Sequence, residues 1–308
     1  MRKGKWLGFL GAGAVMVLLV AQPANPAKQT DPAVERIKAM MTQMNQQLKA
    51  RGENVRIGMV EYITAWDKAG QTVYFDDRYL QLGHHWIPFD PYRYGVRDIF
   101  WLSDLTEGTA NGLSFADTQA ALARAMATWD SVNCAFIPLV QLPDYGMDWG
   151  YVQYLVGMGG FPGWFADITQ AGWLPGSFFD LLWGPGASDV IIGVTFTFWW
   201  VDSVTGEPTD MDNNKKLDVA FREIYYNNNF PWGIDTGWPV DVETIVLHET
   251  GHGLSLGHFG KLFQTDANGK LHFAPRALMN AGYTGVQQEI NGTDNAAFCS
   301  IWAKWPNK

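Results

Sequence analysis

HETGHGLSLGH, from His248 to His258, is the stretch from which the rest of this chain is read. On a helix His248 and His252 stand one turn apart (i, i+4), so both imidazoles project from one face and can fill two corners of a tetrahedral zinc site. Glu249 then lies beside the metal without ligating it, the place for a general base that takes a proton from a zinc-held water. Gly253 and Gly257 are expected to let the backbone leave the helix and swing back, so that His258 supplies the third nitrogen. The fourth position stays open, which marks a catalytic rather than a structural site. Three of only six histidines fall in this window, which argues against three unrelated residues. A glutamate as third ligand has no candidate, since none lies between Glu249 and Glu289.

The flanks fit. Asp241 stands where an N-cap belongs, and Val242, Ile245 and Val246 give the approach to His248 an apolar face. The stretch resembles the metzincin signature H-E-x-x-H-x-x-G-x-x-H, and its surroundings are most similar to the matrixin branch of those zinc metalloproteases. Ser255 replaces the family glycine. Downstream, ALMNAGY (Ala277 to Tyr283) resembles the methionine-containing turn that underlies the metal, with Met279 as the turn methionine, and the long separation from His258 implies an inserted loop. The resemblance implies an α+β (mixed α/β) domain over residues 94–308, with a twisted mixed sheet, a packing helix, an active-site helix and a C-terminal helix. It also implies a secreted zinc endopeptidase acting on protein or peptide, with Asn280, Ala281, Gly282 and Tyr283 walling the substrate pocket. Cys134 follows an expected helix and Cys299 lies in the last one. Some metzincins tie that helix back, so a disulfide is favoured over two separate thiols, in keeping with an oxidising compartment.

Working towards the N-terminus, FREIYYNNNFPW reads as a short strand and a turn, and Asp189 to Val201 as a central strand rich in β-branched and aromatic residues. Between them Asp210, Asp212, Asn214 and Asp218 are spaced like the oxygen ligands of a calcium loop. Lys215 takes the place of the loop glycine, so a solvated polar turn is the competing reading. Residues 141–188 carry Trp149, Trp164, Trp173 and Trp183, either anchors against the sheet or a surface that stacks on sugar rings. Ser114 is expected to cap a helix with Asp117 at its third position and a stripe of Phe115, Leu122, Met126 and Trp129. Val96 to Leu102 and Phe136 to Val140 read as the strands before and after it. Thr293 is expected to cap the last helix, Asp294 to Lys304.

Asp31 to Arg51 reads as an amphipathic helix on Val34, Ile37, Met41, Met44 and Leu48, followed by strand-like runs at Val55 to Ile63 and Thr72 to Phe75. Residues 28–93 are therefore expected to form a pro-segment or an N-terminal subdomain. Residues 1–27 read as a secretory signal, with Arg2, Lys3 and Lys5 before the apolar run Leu7 to Val20, too short for a membrane span. A net charge of -9 argues against nucleic acid and anionic membranes as partners. No cysteine precedes Cys134, so a thiol cannot keep the metal latent from the N-terminal side. Asp76, Asp77, His84 and His85 are the alternative groups for that task. Two rival readings remain, a zinc domain without catalysis, which has no use for Glu249, and an aromatic-rich extracellular binding module, which needs no zinc.

Overall fold

The computed structural model describes residues 31–65, 68–267 and 271–306, so the expected signal sequence lies outside the described residues. In chain order the helices and strands are α1 (Pro32–Ala50), β1 (Val55–Thr64), β2 (Thr72–Tyr74), β3 (His84–Trp86), β4 (Ile99–Ser103) and α2 (Phe115–Asp130). Then come β5 (Leu139–Gln141), α3 (Tyr151–Leu155), β6 (Ile168–Leu174), α4 (Gly176–Trp183), β7 (Ile191–Trp200) and β8 (Leu217–Asn227). The chain ends with β9 (Trp232–Gly233), β10 (Val240–Asp241), α5 (Val242–Gly253), β11 (Lys261–Gln264), β12 (Leu271–Ala274) and α6 (Gly292–Trp302).

Eight strands form one mixed sheet in the order β2-β1-β7-β8-β6-β4-β5, with β3 beside the start of β8. β8, β6, β4 and β5 run parallel to one another, whereas β7 is antiparallel to both of its neighbours, β1 and β8. The fold is α+β, as expected. β7 and β8 are buried along their whole lengths, and a strand apolar on both faces needs a layer on each. One face packs against α2, α5 and α6 through Leu122, Met126, Ile245, Val246 and Phe298. The other packs against α1, α3 and α4 through Ile37, Met41, Val152 and Phe178.

The boundary expected near residue 94 does not separate two bodies, because Pro32 to Lys308 form one compact unit. β1 carries apolar side chains on both faces, with Met59 and Ile63 in one core layer and Ile57, Val60 and Tyr62 in the other, so it can be satisfied only inside the sheet. Three local expectations also change. Phe115 is exposed and Thr118 is buried in its place, its hydroxyl donating to Ser114 O and so needing no solvent. The cap of α6 is Asn291, whose Oδ1 accepts from the amides of Thr293 and Asp294 at 3.0 and 3.2 Å, and not Thr293. FREIYY is part of the eleven-residue β8 rather than a short strand.

Cys134 and Cys299 form a disulfide that ties α6 to the segment following α2. Trp149, Trp173 and Trp183 are buried, and Trp164 stacks on Phe221 with ring centroids 4.4 Å apart. Trp149 and Trp164 anchor their loops, while Trp173 belongs to β6 and Trp183 to α4. The sugar-stacking reading loses the exposed tryptophans on which it was based.

Candidate metal centre

α5 starts at Asp241, whose Oδ2 accepts from Thr244 N at 2.9 Å and from Thr244 Oγ1 at 2.6 Å. All twelve residues of α5 are buried, so the helix has no solvent face and its side chains are fixed by packing. Gly251 is needed on its underside. A β-carbon there would collide with Met279 Sδ, so the glycine admits the methionine of the Ala277–Tyr283 turn directly beneath the helix. That turn is held by Asp294 of α6, whose two carboxylate oxygens accept from Leu278 N (2.9 Å) and Met279 N (3.1 Å).

After α5 the chain reverses at Ser255, which adopts the left-handed conformation at φ 69°. Neither Gly253 nor Gly257 has a positive φ, so the expected redistribution of the bend onto these glycines does not occur. Gly253 serves close packing instead, since a β-carbon there would lie 3.2 Å from Ile168 Cδ1. Buried Arg222 of β8 fixes the reversal, with Nη1 donating to Gly253 O at 2.7 Å, Nη2 to Ser255 Oγ at 2.9 Å and Nε to Thr197 Oγ1 at 3.1 Å.

This geometry brings the three predicted histidines together. His252 Nε2 lies 3.1 Å from His248 Nε2 and 3.2 Å from His258 Nε2, a group close enough to hold one metal ion. His248 Nδ1 donates to Leu278 O and His252 Nδ1 to Leu256 O, each at 2.7 Å, which leaves both Nε2 lone pairs free to ligate. Three nitrogen lone pairs pointed at one another repel unless a cation stands between them. Burial holds His248 and His258 well below the usual histidine range, aided by the neighbouring imidazoles. For His252 burial acts the same way, but Glu61, Glu249 and the Leu256 carbonyl together outweigh it and raise the pKa, Glu61 Oε2 lying 3.2 Å from Nδ1.

Glu249 sits beside the triad and outside it. Its Oε2 accepts from Thr195 Oγ1 of β7 at 2.7 Å, and Gly193 lets it approach the strand, since a β-carbon there would lie 2.9 Å from Oε1. Burial pushes its carboxyl up to about 7, against the opposing pull of His252 and the Thr195 hydroxyl. A carboxylate held dry and next to a cation site is suited to accept and return a proton.

The other predicted residues have mixed fates. Asn280 closes its own turn, accepting from Ala277 N at 2.9 Å and donating to Phe259 O at 2.8 Å. Gly282 meets the end of β1 in a bridge with Thr64, and the Tyr283 hydroxyl accepts from Asp241 N at 3.0 Å. The long spacing before Met279 is taken up by the β11–β12 hairpin. Asp210, Asp212 and Asp218 converge, while Asn214 donates to Asp212 Oδ2 at 3.1 Å. The three carboxylates lie close enough to hold a metal ion, and backbone amides of Met211, Asn214 and Lys215 also bond to Asp218 and Asp210.

None of the four groups expected to cap the metal belongs to the triad's cluster. Asp76 pairs with Arg78 and Asp77 with Lys38, while His85 stacks on Trp302 and meets Lys216. His84 and His85 belong to β3, on β8. His272 faces Phe263. Glu61, Thr195, Arg222 and Asp294 are the residues that sequence reasoning passed over. A signal existed for two of them, since Glu61 and Arg222 are charges within strands rich in apolar residues and a buried charge implies a partner. No protein-family model and no curated protein matches the chain.

Proposed function

We propose that this chain is a secreted zinc-dependent endopeptidase of metzincin type, similar to matrixins. The observation that carries the reading is the convergence of His248, His252 and His258 Nε2 with Glu249 alongside. Zinc–nitrogen bonds of about 2.0–2.1 Å place tetrahedral ligands about 3.3 Å apart, close to the 3.1 and 3.2 Å seen here. An all-imidazole donor set suits zinc, and its two directed Nδ1–H···O=C bonds supply the outer shell such ligands require. Zinc bound there supplies a Lewis acid for a peptide carbonyl and acidifies water. Glu249 takes the proton and passes it to the leaving amine, and Thr195 holds its carboxylate at the angle for that transfer. Met279 supports the floor of the site. The Cys134–Cys299 disulfide supports an oxidising compartment, and among the described residues no helix is long and apolar enough to cross a membrane.

The test uses zinc-loaded protein on an unfolded protein substrate, as the intact chain and after a tryptic nick at exposed Lys68. A chelator is expected to abolish cleavage and zinc to restore it. Glu249→Ala should keep about one zinc per chain while losing roughly 10²–10⁴-fold in rate. His258→Ala should lose zinc itself. Full activity in the Glu249 variant removes the mechanism.

A further inference from the structure

A peptidase that binds its substrate as an extended strand needs a free strand edge beside the catalytic group, with main-chain donors and acceptors left unpaired. Here β7 is the strand that touches Glu249, through Gly193 and Thr195. Its edge on that side is taken. β1 pairs with it antiparallel, with Glu61 opposite Thr195, Tyr62 opposite Val194 and Ile63 opposite Gly193.

The facing wall is taken as well. Thr64 bridges Gly282 in parallel, Tyr283 N donates to Thr64 O at 2.8 Å, and Gly70 N donates to Ala281 O at 2.6 Å. Side chains alternate as a strand requires: Glu61 reaches His252, while Tyr62 points away and packs edge-on against Trp183 at 5.4 Å. His248, His252 and Glu249 are all completely buried beneath this arrangement.

We infer that the end of β1, Glu61 to Thr64, occupies the substrate groove as an internal pseudo-substrate and keeps the protein latent. This rests on the peptidase reading. Latency then needs no side-chain ligand to the metal, which accounts for Asp76, Asp77, His84 and His85 lying outside the triad's cluster. Wholesale removal of the N-terminal segment cannot be the way it is relieved. Ile37, Met41, Met44 and Leu48 of α1 and Val55 and Ile57 of β1 belong to the core on the other face of the sheet, and losing them would open that core. Release is local to the strand end, where the β1–β7 register already shifts between Ile63 and Thr64.

Access is measured with a fluorescent peptide hydroxamate, which reports entry to the groove and metal without turnover. Zinc-loaded full-length protein is compared before and after tryptic nicking at Lys68, with Lys68→Ala as the uncut control. If the strand end leaves the groove roughly 1% of the time, the intact chain binds the probe ~100-fold more weakly than the nicked chain. Hydrogen exchange at Tyr62 to Thr64 should rise on nicking while that of α1 stays protected. Equal probe affinity in intact and nicked protein, or no binding by either, overturns the inference. Probe binding gained on nicking, without any Glu249-dependent cleavage, upholds the occupied groove and overturns the peptidase reading instead.

Discussion

Ser255 stands in a conformation that costs a residue with a β-carbon about 1–2 kcal/mol, which glycine avoids. The chain keeps serine because its hydroxyl accepts from Arg222 Nη2, and Arg222 is fully buried. A hydrogen bond to a buried charge is worth about 1.5–3 kcal/mol, more than the strain. Ser255→Gly is therefore expected to lower stability by about 1 kcal/mol despite relieving the backbone. Ser255→Ala, which keeps the strain and loses the bond, should cost about 2–3 kcal/mol. Urea unfolding of the three proteins checks the order, and a glycine variant more stable than the parent would show that strain dominates. His248, Glu249 and His252 were legible because helix periodicity alone fixes their relation, and His258 because its spacing follows the signature. Glu61 and Arg222 could be noticed as charges in apolar surroundings, but not what they hold, because each acts on residues brought near only by the sheet, and spacing carries no information about such partners.

Elements were legible where one local rule governs them. Asp241 and Ser114 cap their helices as a short polar side chain before an apolar run implies. The expectation for α6 failed by two residues because Asn291, Thr293 and Asp294 are all competent caps, and Asp294 is drawn inward to hold the amides of Leu278 and Met279. The helix α5 poses a sharper question, since Gly251 lies in its interior and glycine there costs about 1 kcal/mol relative to alanine. Propensity alone predicts that Gly251→Ala stabilises. Packing predicts the reverse, because the new methyl would meet Met279 Sδ and Trp129 Cζ2, both buried, and overpacking a core costs about 1–3 kcal/mol. We expect a net loss of about 1 kcal/mol and weaker zinc binding, since Leu278 next to Met279 also holds His248. A raised melting temperature with unchanged zinc affinity would show that the turn has room to move.

At the scale of the molecule, the order strand, helix, strand of β4, α2 and β5 was readable from local pattern, but the place of β1 was not. An apolar run such as VRIGMVEYIT is equally consistent with a subdomain of its own and with a strand in a larger sheet, and only the partners of both faces decide. The same long-range logic applies to α6. Its disulfide closes a loop across a sequence separation of 165, and its Asp294 reaches the turn beneath the metal. In the chain-entropy model a link of this reach stabilises by roughly 2–5 kcal/mol, chiefly by restricting the unfolded chain. It contributes nothing directly to the metal ligands, which Asp294 positions through Leu278. The double variant Cys134→Ser, Cys299→Ser is therefore expected to unfold at lower urea with that loss of stability, yet to hold zinc nearly as tightly as the parent while folded. Asp294→Ala should do the opposite in proportion, with a smaller loss of stability than the double variant and a larger loss of zinc affinity, because second-layer partners of ligands are typically worth 10–100-fold. Zinc competition against a chromophoric chelator, run beside urea titrations, separates the two. Equal loss of zinc affinity in both variants would show that α6 acts on the site as a rigid body rather than through its single aspartate.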